Sequence, residues 1–352
     1  CKFMSSSECS SNEEVTSFSY QWIANNTPAP APDEFATAKK PEFKSKNRYG
    51  NVFPNEANMV VLENKPYINA SYICGKKYIS CQAPLSNTTE DFWYMVWERM
   101  SPVVVMLTKY EEKGKQKASP YFPDSVAQSK MYGNFRVTCN SVLYNDLQTA
   151  KRMETQVREL IVENRAEKTK RSIIHIHYTG WPDFGVPTNT KQITDMVYVC
   201  MLCRGKIKGI KLEGPPIVHC SAGLGRSGTF IGILRFYEFF FYKALKKPYV
   251  VPYEPSTPLA NKFEEMLQKL SDPSSHADIQ ELIAYLVLSM RSERKGMIQT
   301  EDQFDFLNAC VNELIALLPQ IPKGKSKLYD CIEKFLSPSL PSNIKAFFKP
   351  LI

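Results

Sequence analysis

The stretch that most constrains the fold runs from Pro215 to Phe230 and reads PPIVHCSAGLGRSGTF. Its apolar lead-in predicts a buried strand, and the apolar run from Ser227 to Leu245 predicts a helix. Between them lie Cys220 and Arg226, separated by five residues without a charge or a β-branch. A strand and a helix joined by a loop of small residues are typical of an anion site.

The residue types of this loop indicate a nucleophile in a phosphate site. Inward-pointing backbone N–H groups and the dipole of the following helix create positive potential around one tetrahedral oxyanion. A thiol there is expected to have a pKa below its usual value of about 8.5, so Cys220 is predicted to be a thiolate. Arg226 offers a planar fork of donors to two phosphate oxygens. The Ser227 hydroxyl can reach back and stabilise the sulfur as a leaving group. The competing interpretation is a core thiol near a surface arginine.

This loop resembles the signature of the cysteine-dependent protein tyrosine phosphatases, His-Cys-(x)5-Arg-Ser/Thr. The resemblance implies that Cys220 is the nucleophile and that Arg226 and Ser227 assist it, with His219 as a supporting residue. The residues that it implies for phosphate binding are Ser221, Ala222, Gly223, Leu224 and Gly225.

A second decisive segment is WPDFGVP at residues 181–187. Two prolines and a glycine give a loop with rigid ends and one permissive point, suited to closing over a ligand as a unit. An aspartate in such a turn is ordinarily turn chemistry. The segment is similar to the mobile acid loop of the same family, which implies Asp183 as general acid, Phe184 as a substrate contact and Trp181 as support.

Three further segments resemble the family, in its order. Residues 46–49 (KNRY) match its substrate-tyrosine loop, which implies that Tyr49 walls the pocket. Asn51 stands where the family usually has Asp, so it keeps hydrogen bonding but loses the charge. Residues 111–117 resemble the loop whose glutamate pairs with the signature arginine, which implies Glu112, with Lys113 as support. Residues 297–304 resemble the glutamine loop, which implies Gln299 as the residue that places water, with Gln303 as the second candidate and a substrate-binding residue.

Composition adds limits on class and compartment. Of 352 residues, 43% are hydrophobic and 23% charged, which describes a globular protein. A net charge of +8 suits acidic or phosphorylated partners, and no aromatic-interleaved basic stripe indicates nucleic acid. Ten cysteines without framework spacing and a reactive thiolate favour the cytosol or nucleus. Cys200 and Cys203 lie in an apolar helical run and are interpreted as core thiols rather than zinc ligands. No apolar run predicts a membrane span.

The predicted organisation is one α/β domain with a highly twisted mixed sheet and helices on both faces. We expect an N-terminal segment with a Pro/Ala linker at 1–32, a catalytic domain at 33–318 with a surface insertion at about 246–272, and a C-terminal extension at 319–352. The chain starts with Cys1 rather than Met, which is consistent with a fragment of a longer protein.

The function predicted from these motifs is hydrolysis of phosphotyrosine in proteins through a cysteinyl-phosphate, likewise implied by the resemblance. No metal or other cofactor is expected, and a monomer is favoured. Two other classes stay open. A lipid or inositide phosphatase would share the loop but is expected to carry Lys among its five middle residues. A catalytically dead phosphotyrosine-binding module is expected to have lost Cys220, Asp183 or Arg226.

Overall fold

The computed structural model describes residues 18–63, 65–145, 155–203, 213–246, 257–270, 276–321, 331–332 and 334–335. Its main feature is an eight-stranded sheet in the order β1-β2-β10-β3-β9-β8-β7-β6. The strands of this sheet are β1 (Ala70–Ile73), β2 (Tyr78–Cys81), β3 (Val103–Met106), β6 (Ser129–Tyr132), β7 (Phe135–Asn145), β8 (Thr155–Asn164), β9 (Thr169–Tyr178) and β10 (Ile217–His219). A separate hairpin is formed by β4 (Glu111–Glu112) and β5 (Lys115–Gln116).

The central strands are short and apolar because both faces of the sheet are covered. Strand β10 runs parallel to β2 on one side and to β3 on the other, and β3 runs parallel to β9. Side chains alternate between two cores, so that Val103 and Val105 pack in one while Val104 and Met106 pack in the other. The outer strands β6 to β9 pair antiparallel.

Helices lie on both faces of the sheet. Helix α2 covers one core, and the other helices cover the second. The helices are α1 (Tyr20–Asn26), α2 (Thr89–Glu98), α3 (Thr190–Cys203), α4 (Gly225–Ala244), α5 (Pro258–Lys269), α6 (His276–Glu293) and α7 (Glu301–Leu317). This mixed sheet flanked by helices confirms the predicted fold class. Within the described ranges, no helix has the length and apolar character needed to cross a bilayer.

The N-terminal boundary differs from the one expected at Asp33. Helix α1 precedes the Pro/Ala segment, its Ile23 is fully buried, and it packs on α6. Ser19 caps the helix by accepting from the Trp22 amide. The packed core therefore includes α1, which precedes the expected boundary at Asp33. Residues 1–17 lie outside the described part of the chain.

The predicted surface insertion also differs from the structure. Helix α5 buries Ala260, Phe263 and Leu267 against α6, so this part of 246–272 belongs to the core. Its amphipathic pattern explains the packing, since the apolar positions recur on one face. Residues 247–256 and 271–272 lie outside the described part. In the C-terminal extension, Cys331 and Ile332 are described and are buried in the same core as α5, while 322–330 and 336–352 lie outside the described part.

Candidate active site

The cysteine loop is built at the carboxyl end of the central strand β10. Cys220 follows the last residue of that strand, and α4 begins at Gly225. Gly223 has φ +71°, and a Cβ added to it would lie 2.1 Å from the Cys81 carbonyl oxygen. Only glycine satisfies both the left-handed backbone and this close approach. The small residues of the motif thus let the chain curl tightly beside β2.

A buried arginine holds the outer side of this loop. Arg294 is fully buried and donates from Nε to the Gly223 carbonyl (3.0 Å) and from Nη2 to the Ala222 carbonyl (3.0 Å). Its other donors reach Ser71 Oγ (3.0 Å) and Asn69 Oδ1 (2.8 Å). Because two loop carbonyls are engaged away from the pocket, the loop amides are left to face it.

The Cys220 thiol is 4% exposed, and its pKa lies below the ordinary value of 9.0. Burial alone would raise that pKa, but the Arg226 charge and hydrogen bonds from Ser227 and Leu224 outweigh it. The Gly223 amide lies 3.3 Å from the sulfur. The buried Ser227 hydroxyl has no hydrogen-bond partner among the described residues, and its proximity is one of the causes of the lowered Cys220 pKa.

The orientation of the Arg226 guanidinium is fixed by Glu112. The two side chains form a bidentate pair with distances of 2.7 Å (Nη1–Oε1) and 3.2 Å (Nη2–Oε2). Burial would raise the pKa of the Glu112 carboxyl, but this pair and the Thr108 hydroxyl hold it below the ordinary 4.5. The bidentate pair therefore fixes the direction of the guanidinium at the wall of the cavity.

The aspartate loop lies over the cysteine loop and is attached to it through Arg226. Nη1 of Arg226 donates to the Trp181 carbonyl (3.2 Å), and Nη2 donates to Asp183 Oδ1 (3.3 Å). Asp183 Oδ2 accepts from Lys117 Nζ at 2.6 Å. Trp181 is buried and donates from Nε1 to the Gly185 carbonyl (2.9 Å), which braces the loop internally. Asp183 is therefore held within reach of a group bound above Cys220.

A chain of buried side chains supports the strand end from below. His219 Nδ1 lies 3.0 Å from the Cys220 carbonyl, which can only accept, so Nδ1 carries the proton. His219 Nε2 then accepts from the Tyr121 hydroxyl (2.7 Å), and Nε2–H of His175 donates to the Tyr121 oxygen (2.8 Å). Burial lowers the pKa of His219 to about 3, so the ring is neutral at physiological pH.

A cavity of about 650 Å³ opens above the sulfur. It brings together most of the residues predicted from the motifs: Tyr49, Asn51, Glu112, Lys113, Asp183, Phe184, Cys220, Ser221, Ala222, Arg226, Gln299 and Gln303. Tyr49 is anchored to the cysteine loop because its hydroxyl lies 2.8 Å from Ser221 Oγ. Phe184 is 63% exposed at the rim. Gln303 Oε1 accepts from the Gln299 amide (2.9 Å), so it supports the glutamine loop as well as lining the cavity.

The other predicted residues lie around the cavity rather than in it. Gly223, Leu224 and Gly225 form the turn into α4, and His219, Ser227 and Trp181 support from behind. Three residues that were not predicted from the sequence contact the site residues directly, namely Lys117, Tyr121 and Arg294. Lys117 was covered only as the last residue of the segment 111–117. Nothing in the local pattern marks the other two, since their partners are distant in sequence.

Comparison with known proteins agrees with this geometry. The family model described as "Protein-tyrosine phosphatase" matches residues 43–242. Tyrosine-protein phosphatase 3 of Dictyostelium discoideum is 34% identical over 80% of this chain and 26% of its own length. Tyrosine-protein phosphatase 2 of the same organism is 36% identical over 74% of this chain and 58% of its own length. Tyrosine-protein phosphatase non-receptor type 4 of Mus musculus is 39% identical over 55% of this chain and 20% of its own length.

The chain thus spans less than two thirds of the length of each of these relatives. The family match nevertheless covers more than half of the chain and includes the cysteine loop, the aspartate loop and Tyr49. The chain belongs to the protein-tyrosine phosphatase family.

Proposed function

We propose that this chain hydrolyses phosphotyrosine in proteins and that Cys220 is the nucleophile. The observation that carries the proposal is the lowered pKa of the Cys220 thiol. Arg226 and the loop that bears Asp183 lie over this thiol and contact each other. Such a constellation suits attack on phosphorus, since the amides and guanidinium stabilise the charge that develops on the equatorial oxygens. Glu112 fixes the direction of the guanidinium through the bidentate pair.

The first step forms a sulfur–phosphorus bond and breaks the bond between phosphorus and the phenolic oxygen. Asp183, in its protonated form, gives its proton to the departing phenolate, so that tyrosine leaves neutral. Lys117 and Arg226 fix the carboxyl over the pocket. The product of this step is a cysteinyl-phosphate.

In the second step water attacks the phosphorus, the sulfur–phosphorus bond breaks and phosphate leaves. Gln299 lies at the cavity wall and is assigned to place this water, while Asp183 accepts its proton. Ser227 donates to the departing thiolate, which makes the sulfur a better leaving group. The proposal includes a monomeric catalytic unit.

Selectivity for phosphotyrosine follows from the depth at which the Cys220 sulfur lies in the cavity. The sulfur is nearly buried, and the anchored ring of Tyr49 forms a wall above it, so only a side chain about as long as tyrosine's presents its phosphate to Cys220. A phosphoserine stops short and loses in-line geometry, and a misplacement of about 1 Å can cost about 10²-fold in rate. Ring stacking adds about 0.5–1.5 kcal/mol, so the geometric effect dominates.

The partners implied are phosphotyrosine-containing proteins, and the proposed compartment is the cytosol, with the nucleus as the other reducing location. This rests on the reactive thiol and on the eight free cysteines of the described ranges. Both α3 cysteines, Cys200 and Cys203, are buried, as a core interpretation requires.

Phosphate release from matched phosphotyrosine, phosphoserine and phosphoinositide substrates tests the proposal. The expected kcat/KM for phosphotyrosine exceeds the others by several orders of magnitude. Tyr49→Ala should reduce this difference in kcat/KM. Tyr49→Phe keeps the ring and should change the difference little. Turnover of the phosphoinositide at a comparable rate would favour a lipid phosphatase, and binding of phosphotyrosine without any turnover would favour a binding module.

A further inference from the structure

The glutamine loop carries an unusual backbone conformation next to the residue assigned to place water. Ile298 has φ +57°, in the left-handed region that a β-branched residue rarely adopts. Such strain persists only where surrounding contacts over-determine the conformation, and it occurs preferentially at functional sites. The amide of Ile298 donates to the Leu224 carbonyl (3.2 Å), which ties the strained residue to the cysteine loop.

Three successive carbonyls of this loop are held by two side chains from outside it. Arg291 of α6 donates from Nε to the Met297 carbonyl (3.0 Å) and from Nη2 to the Ile298 carbonyl (2.9 Å). The next carbonyl, that of Gln299, accepts from the Tyr20 hydroxyl at 2.6 Å. Within the described contacts, Tyr20 is thus the side chain that fixes the peptide group that follows Gln299.

Tyr20 reaches this position because α1 packs on α6. Its ring lies 5.2 Å from the Arg291 guanidinium carbon and 6.2 Å from the Phe304 ring centre. Arg291 Nη1 also donates to Thr27 Oγ1 (3.1 Å) at the end of α1. The helix and the loop are therefore connected at both ends of α1, and the hydroxyl of Tyr20 points at the loop backbone.

We propose that Tyr20 is a positioning residue for the water-activating step, acting by holding Gln299 in the orientation that hydrolysis of the cysteinyl-phosphate requires. This inference rests on the proposed function. The proposal gives α1 a role only in hydrolysis of the cysteinyl-phosphate. Among the described contacts, the Tyr20 hydroxyl meets the carbonyls of Ile298 and Gln299 and neither the cysteine loop nor Asp183.

Rapid mixing of Tyr20→Phe with p-nitrophenyl phosphate tests this assignment. The variant keeps the ring packing and removes the hydroxyl. Phosphoenzyme decay should slow about three- to tenfold, the effect of one lost hydrogen bond, while the first release of p-nitrophenolate keeps its rate. The expected time course is a burst of p-nitrophenolate near one equivalent per enzyme, followed by slow turnover. Tyr20→Met should give the same split with a different apolar side chain.

Tyr285→Phe is the matched control. Tyr285 lies in the same α1–α6 contact, against Trp22, but its hydroxyl accepts from Lys262 and does not meet the glutamine loop. Its removal should leave both steps at the parent rates. Gln299→Ala should reproduce the burst, and adding Tyr20→Phe to it should slow decay little further, because both changes act on one group.

The inference is overturned if Tyr20→Phe and Tyr20→Met leave phosphoenzyme decay unchanged, or slow both steps by the same factor. It is also overturned if the control slows decay as much as they do. The proposed function fails separately, if the parent protein releases no p-nitrophenolate and takes up no phosphate.

Discussion

Cys220 is nearly buried yet stabilised as an anion, and the balance can be assigned to named groups. Burial opposes the thiolate, while Arg226 and the Ser227 and Leu224 donors favour it. The net lowering of the pKa means that the thiolate forms at a lower pH than for an ordinary thiol. Cys220 should therefore react as a thiolate at pH values below those at which an ordinary cysteine ionises.

Alkylation of Cys220 by iodoacetamide across a pH series measures this balance. The midpoint of the rate profile should lie below 9.0 in the parent protein. Ser227→Ala removes one donor to the sulfur, so the pKa should rise and the midpoint should move to higher pH. An unchanged midpoint would remove Ser227 from the sulfur's environment.

The contribution of Asp183 to kcat should increase with the basicity of the leaving group. Asp183→Asn keeps the shape of the side chain but cannot donate a carboxylic proton, so kcat for a phosphotyrosine peptide should fall about 10²–10⁴-fold. An aryl phosphate whose phenol is strongly acidic should lose much less. Equal losses on both substrates would show that the residue acts only by positioning the loop.

At the scale of single residues, the motifs predicted well those groups whose chemistry is local. Cys220, Arg226 and Asp183 come from short segments with distinctive composition, and the structure places them around one cavity. Arg294 and Tyr20 could not be predicted, because each acts on a loop far away in sequence.

At the scale of elements, α5 shows how a segment without motif character becomes part of the core. Its Glu264 carboxylate pairs with Arg235 of α4, whose side chain is fully buried. Burial would raise the pKa of Glu264, but the Arg235 charge and hydrogen bond hold it below 4.5. The helix therefore contributes charge compensation as well as apolar packing.

Glu264→Gln should lower the free energy of unfolding by about 3 kcal/mol, since a buried guanidinium would lose its carboxylate. Glu265→Gln is the control, because its partner Lys269 is 78% exposed, and a change within about 0.5 kcal/mol is expected. Urea unfolding of both variants measures the difference. Equal stabilities would make α5 the surface insertion that the sequence suggested.

The apolar strands and amphipathic helices were predictable because their periodicity is local. Strand β10 and helix α4 were expected from the apolar runs on either side of the cysteine loop. Helix α1 was not expected, since a Ser-rich context hides a seven-residue helix whose stability comes from burying Ile23 on α6.

For the whole molecule, the buried histidines make stability depend on pH. Burial lowers the pKa of His177 to about 4 and of His219 to about 3, and lowers that of His175 far below 6.5. Their contribution is complete above the unfolded value of 6.5, and it is lost as pH falls towards the folded values, because only the unfolded chain then takes up protons.

Unfolding measured between pH 7 and pH 4.5 should therefore show stability falling with acidity, by up to about 1.4 kcal/mol per pH unit for each histidine. Carboxylates with lowered pKa, such as Glu112, add to the loss only near and below 4.5. His175→Gln removes one titrating ring, so the slope above pH 5 should decrease by about a third. A slope independent of this substitution would contradict the assignment of neutral buried histidines.

The covalent intermediate on Cys220 is the central claim for the whole molecule. Mixing the parent protein with a phosphotyrosine peptide, quenching within milliseconds in acid and mapping the digest by mass spectrometry tests it most directly. We predict one phosphoryl group on the peptide that carries Cys220, and none in Cys220→Ser. A phosphoryl group on another residue, or full turnover with no phosphorylated Cys220 at any quench time, would contradict the account.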